Sequence, residues 1–191
     1  MRARQESVEV TRDRILEAAF DLWRELAYDD VTVDMVATAA GVSRQTVHRQ
    51  FGSKDDLALA VTAYVGPRIE QDAMATAPGD VRAALNRQME LYEHMGDLNV
   101  RMVQMEGRVA AFDQALERGR AGHRAWIEHV FGPHLPARGK SRELAIMSLY
   151  AATDVMVWKL IRRDFGASRA ETEAVMLRLI EGVLAPGTQS E

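Results

Sequence analysis

The chain contains no cysteine, which excludes a disulfide framework and any thiolate metal site. Proline is scarce, and its five positions, Pro67, Pro78, Pro133, Pro136 and Pro186, read as boundaries between elements. No uninterrupted apolar run approaches the roughly 18 residues that span a bilayer. The opening MRARQESVEVTRDR is basic but has no apolar core behind it, so it does not read as a signal peptide. A cytoplasmic protein without membrane contact is expected. Apolar and polar residues nowhere alternate long enough for a strand. What remains is ordinary for a globular chain: 191 residues, 47% hydrophobic and 27% charged, enough to bury a core. The net charge of −4 gives no general attraction to nucleic acid, so any such affinity must come from local charge arrangement.

Apolar spacing is helical throughout, and the fold class expected is all-α. The first helix is expected from about Thr11, as cap, to Leu26, with Ile15, Ala18, Ala19, Leu22 and Trp23 on one inward face. Thr32 caps a short second helix that stops at Gly41, where glycine takes up left-handed geometry cheaply. Ser43 caps a third helix, Arg44 to Phe51, and Ser53 a fourth, Lys54 to about Val65. Further helices are expected over Val81–Met95, Leu98–Glu106, Ala110–Phe131, Ser141–Phe165 and Ser168–Leu184. A division at residues 1–65 and 66–191 follows, the first part being the candidate DNA-binding domain.

The segment from Thr32 to Phe51 has the layout of a helix-turn-helix, two short helices about a glycine-containing turn. Val36, Ala37 and Ala40 supply the inner face of the first helix, and Val42, Val47 and Phe51 that of the second. At about 100° per residue, Val47 and Phe51 lie within roughly 40° of each other. Gln45 and Arg49 then point away, flanked by Thr46 and His48, with Arg44 at the edge. From Met35 through Lys54 no acidic residue occurs, while Arg44, Arg49 and Lys54 do. Such a gap suits a surface that faces phosphates. Any short helix exposes polar residues, so the pattern alone does not settle the matter.

From Thr11 to about Ala63 the chain resembles the amino-terminal domain of the TetR family of bacterial regulators. The matching residues are Ile15-Leu16-Glu17-Ala18-Ala19, Thr32-Val33, Ala37, Ala40-Gly41-Val42-Ser43, Thr46, Phe51 and Ser53-Lys54-Asp55-Asp56-Leu57. Ala151 to Asp164 also looks like a late helix of some members. The resemblance implies that Thr32, Ser43 and Lys54 hold DNA phosphates, two of them at helix starts. It implies that Arg44, Gln45 and Thr46 reach base edges; His48 and Arg49, on the same outward face, are read as further backbone contacts. The sequence departs from the family at His48, where tyrosine is usual. Arg2 and Arg4 could add contacts from a flexible basic arm.

In the second part, the stretch from Leu144 to Leu160 is apolar on all sides, and the last helix is apolar over roughly 200°, more cover than an ordinary surface helix needs. The expectation is a two-fold homodimer whose interface includes Val155, Val175, Met176, Leu179, Ile180 and Val183. A monomeric core with two central helices would give the same pattern. The symmetry with which helix-turn-helix proteins read paired half-sites favours the dimer. Met89, Tyr92, Met102, Met105, Trp126, Met147 and Tyr150 are candidates to line a site for an apolar small molecule, with plain core packing as the alternative. An enzyme is the rival class. His94, His123, His129 and His134 have no metal-ligand spacing, and no nucleophile motif or phosphate-binding loop is present, so no metal, cofactor or catalysis is expected. The reading is a regulator, of the repressor kind, whose hold on double-stranded operator DNA falls when the effector binds.

Overall fold

The computed structural model describes residues 2–185, with side chains from residue 8 onward. The side chains of Arg2 and Arg4, and Pro186, lie outside the described residues. Every regular element among the described residues is helical: α1 (Arg2–Glu25), α2 (Val33–Ala39), α3 (Arg44–Phe51), α4 (Lys54–Ala73), α5 (Val81–Gln104), α6 (Ala110–Phe131), α7 (Lys140–Ala152), α8 (Val155–Lys159) and α9 (Arg169–Leu184). A turn of π-helix, Leu160–Asp164, extends α8.

Several helix ends differ from those the sequence suggests. Thr11 lies inside α1 rather than capping it. Helix α4 continues past Val65 and through Pro67 to Ala73. Proline ordinarily drives its predecessor out of helical geometry by crowding that residue's Cβ, and here the predecessor is Gly66, which has none. Helix α5 is a single helix where two were expected, because Gly96 continues it and lies under the ring of Trp158. Conversely, the expected long helix from Ser141 to Phe165 breaks at Thr153 and Asp154, whose Oδ1 accepts the Met156 amide at 2.8 Å and starts α8. Ser168 and Glu171 close a capping box at the start of α9.

Two compact units form. One holds the described residues up to Arg68 together with Arg101–Arg118; the other holds Ile69–Val100 and the described residues from Gly119 onward. In the first unit Ile15, Leu16, Ala19 and Trp23 of α1 are buried with Val36, Ala37, Val47, Phe51 and Leu57. Each aliphatic side chain so buried contributes about 1.5–3 kcal/mol. The segment 101–118 joins them through Arg101, whose Nη2 donates to the Trp23 and Arg24 carbonyls at 3.0 and 2.6 Å and so satisfies the end of α1. The core of the second unit gathers Leu85, Met89, Tyr92, Trp126, Phe131, Ile146, Leu149, Trp158, Met176 and Ile180. By length and composition alone the stretch Lys140–Asp164 could cross a bilayer, yet it is interrupted at Thr153 and sends Ile146, Leu149, Trp158 and Ile161 into this core.

Candidate nucleic-acid interface

Helices α2 and α3 form the helix-turn-helix, each started by a side-chain cap. Thr32 Oγ1 accepts the Met35 amide at 3.2 Å, and Ser43 Oγ accepts the Thr46 amide at 3.1 Å. Between them Gly41 takes φ +63°, left-handed geometry in which glycine meets no Cβ penalty. The Val42 amide donates back to the Ala37 carbonyl at 2.9 Å, which sets the direction in which α3 leaves. Val47 and Phe51 face inward and are buried, as their spacing predicts. The opposite face of α3 is therefore left to solvent.

On that face Arg44, Gln45, His48 and Arg49 are exposed. Thr46 is half-buried, and its hydroxyl lies 2.9 Å from Ser43 Oγ, so it belongs partly to the cap. The hydroxyls of Thr32 and Ser43 accept an amide through a lone pair and keep an O–H to donate. Arg44 is engaged: its Nη1 donates to Asp34 Oδ2 at 3.0 Å, a carboxylate just outside the acid-free span. Lys54 opens α4 with its Nζ 4.3 Å from the centre of the Tyr28 ring. The Tyr28 hydroxyl donates to the neighbouring Asp55, and burial together with that carboxylate raises its pKa. Arg12 of α1 covers the Phe51 ring at 4.5 Å. The sequence reading missed Arg12, Tyr28 and Asp34. The family-like spacing around Thr32 pointed past all three, since each acts through a contact with a residue far along the chain or on another helix.

Residues 15–61, which carry this geometry, match the model of a family described as bacterial regulatory proteins, tetR family. Over these residues the chain carries the amino-terminal domain of the TetR family. It is 29% identical over 178 residues to an uncharacterized HTH-type transcriptional regulator of Mycobacterium tuberculosis, covering 90% of this chain and 85% of that one. Among solved structures it superposes on a TetR-family transcriptional regulator of Streptomyces coelicolor with a TM-score of 0.73 at 20% identity, covering 95% of this chain and 91% of that one. It also resembles FadR of Bacillus subtilis, solved with stearoyl-CoA, with a TM-score of 0.64 at 18% identity over 88% of this chain and 97% of that one. These structural likenesses show the fold that the chain shares with those proteins.

The methionine and aromatic residues expected around an effector fall in both compact units. Met89, Tyr92 and Trp126 are buried in the core of the second unit, with Tyr150 half-buried against it. Met102 and Met105 belong to the first unit, Met105 taking an Arg108 Nη1 contact at 3.1 Å on its sulfur. Met147 is 55% exposed, because its position on α7 points away from the Ile146 and Leu149 that the core takes in. Tyr92 donates its hydroxyl to the Thr153 carbonyl at 2.8 Å, satisfying an acceptor at the break between α7 and α8. His123 stacks on Tyr150 with ring centres 4.2 Å apart, its Nε2 lying 2.8 Å from Thr153 Oγ1. That hydroxyl spends its single proton on the Leu149 carbonyl at 2.7 Å, so the imidazole donates and carries its hydrogen on Nε2. His129 and His134 meet the carbonyls of Thr76 and Gly79.

The expected interface residues divide similarly. Met176 and Ile180 are fully buried within the chain's own core and cannot touch a second copy, a correction that follows from the inward turn of that face of α9. Val155 and Val183 are half-buried, whereas Val175 and Leu179 are exposed. Leu144 and Met147 on α7, and Met156 and Leu160 on and after α8, are exposed too. Three helices that pack together thus each present an apolar pair to solvent.

Proposed function

We propose that this regulator is a homodimeric repressor that binds an inverted repeat in duplex DNA and lets go when an apolar small molecule binds. The observation that carries the DNA-binding part is the exposed face of α3: Arg44, Gln45, His48 and Arg49 stand out from a buried Val47–Phe51 seam, with no carboxylate from Met35 through Lys54. In this reading Gln45, Arg44 and Thr46 reach base edges in the major groove, and Thr32, Ser43, His48, Arg49 and Lys54 hold the backbone. The exposed pairs Leu144–Met147, Met156–Leu160 and Val175–Leu179 support a second copy as partner, since six large apolar side chains left open on packed helices exceed what a lone surface needs. Residues 1–65 read DNA, and residues 66–191 dimerise and take the effector, apart from Arg101–Arg118, which pack in the first unit.

The effector reading rests on Met89, Tyr92, Trp126 and Tyr150 in the second unit. The stearoyl-CoA solved with the similarly folded B. subtilis protein carries an apolar acyl chain of that kind. Such a molecule lowers DNA affinity only if it binds the two conformations unequally. A protein that acts on DNA in this way works in the cytoplasm. The test is selection of bound duplexes from random DNA by the purified protein. Enrichment of an inverted repeat is expected, with half-sites about 34–36 Å apart or a multiple of that; no enrichment would remove the sequence-specific reading.

A further inference from the structure

We propose that Tyr28 positions Lys54 for its phosphate, and that Phe112, at the start of α6, fixes Tyr28 in that place. The proposal rests on the reading of Lys54 as a backbone ligand and adds what sets its geometry. Tyr28 lies in the connection between α1 and α2, and three different elements hold it. Its ring stacks on Trp23 of α1 with centres 5.7 Å apart, and packs edge-to-face with Phe112 at 5.1 Å and 79°. Its hydroxyl donates to Asp55 in the first turn of α4. Over the same ring lies the Lys54 ammonium, 4.3 Å from the ring centre.

A lysine at a helix start has four rotatable bonds and disperses its charge over many positions. An ammonium over an aromatic face is drawn to the ring while its other N–H groups stay free to donate. The ring thus narrows the positions of Nζ before DNA arrives. The ring itself is immobilised by Phe112, which is buried, and by the adjoining segment. Arg108 reaches Asp29, next to Tyr28, at 3.4 Å, and Asp113 Oδ1 accepts the Gly107 amide at 2.8 Å. All of these residues lie in the first compact unit. A shift in the first turn of α6 would reach the phosphate contact through two rings, without any change in the recognition helix.

The test uses the full chain and a fluorescent mixed-sequence duplex, with affinity measured over a range of salt. Lys54→Ala should lower the dependence of log K on log salt by about one. Tyr28→Leu should remove most of that same increment, Tyr28→Phe should keep it, and the Tyr28→Leu/Lys54→Ala double variant should be no weaker than Lys54→Ala. Phe112→Leu should fall between wild type and Tyr28→Leu. If Lys54→Ala leaves the slope unchanged, the phosphate reading and this proposal fail together. If Lys54→Ala lowers it while Tyr28→Leu does not, or if the two variants add independently, the phosphate reading stands and the positioning role is overturned. Because Tyr28→Leu could fail to fold, the wild-type geometry is read separately. Reductive methylation of lysines preserves their charge. One dimethyl-lysine resonance should then be shifted upfield by the ring and should disappear in Lys54→Arg; a methylated wild type with no such signal overturns the proposal.

Discussion

Arg44 Nη1 stands 3.0 Å from Asp34 Oδ2, so the first residue of the recognition helix is tied back to the helix before it. Both side chains are largely exposed, at 70% and 62%, and the pair contributes at most about 1 kcal/mol. Its greater effect is on where the guanidinium points and on which DNA it accepts. A carboxylate near the groove repels phosphates that approach without a compensating base contact.

Asp34→Asn should therefore raise affinity for non-cognate duplexes up to about fivefold and affect the selected operator less. Competition binding on the two DNAs measures the ratio. An unchanged ratio would mean that Asp34 only decorates the surface.

Gln45→Ala should cost about 1–3 kcal/mol on the selected operator and relax preference at one base pair. Arg49→Ala should weaken every duplex alike and reduce the salt slope by about one. Binding to a panel of single-base operator variants separates the two behaviours. Equal losses across the panel from both substitutions would reverse the assignment of Gln45.

Leu179→Glu and Ile180→Glu are neighbours in sequence with opposite expected outcomes. Leu179 is 44% exposed, so a carboxylate there should leave the fold intact and lower the dimer fraction seen by analytical ultracentrifugation. Ile180 is fully buried, and a charge there should unfold the second unit at a cost of several kcal/mol. A folded Leu179→Glu protein that dimerises like wild type removes α9 from the interface.

His123 gives the protein a pH dependence of calculable sign. Burial holds its imidazole down to about 4, against the opposing pull of Asp154. The unfolded chain takes up that proton near the ordinary value of about 6.5. Between those values the unfolded state binds more protons, so stability is full above about pH 6.5 and declines as pH falls towards 4, by up to about 3 kcal/mol. Urea unfolding across that range should show the decline, and His123→Gln should lessen it. An identical decline in the variant would place the titration elsewhere.

Local signals were legible in the sequence, and signals that depend on distant partners were not. Thr32 and Ser43 cap their helices by bonding amides three residues on, which is why the helix-turn-helix could be drawn to the residue. Asp154 sent the same kind of signal in the middle of an apolar run, where the run outweighed it. Pro67 and Gly96 looked like stops because their cost is intrinsic, while what permits helix there is a missing Cβ at Gly66 and a tryptophan ring at Gly96. The inward turn of Met176 and Ile180 depends on helices far away in sequence, and the engagement of Arg44 and Lys54 on side chains outside their own helices.

The meeting of Gly96 and Trp158 has an evolutionary consequence. A Cβ at position 96 would stand 2.5 Å from ring atom Cζ3 and 2.7 Å from Cη2, distances that no small adjustment of a buried indole relieves. Alanine at 96, the mildest change in chemical terms, is thus blocked while the tryptophan remains, although it would favour helix by about 1 kcal/mol. A smaller residue at 158 would open a void that glycine cannot fill. Each single step descends in fitness, so a lineage that leaves this pair must change both residues at once or first acquire slack elsewhere in the core. Relatives should accordingly show glycine with a large ring, or a larger residue with a smaller partner, and seldom the mixed combinations.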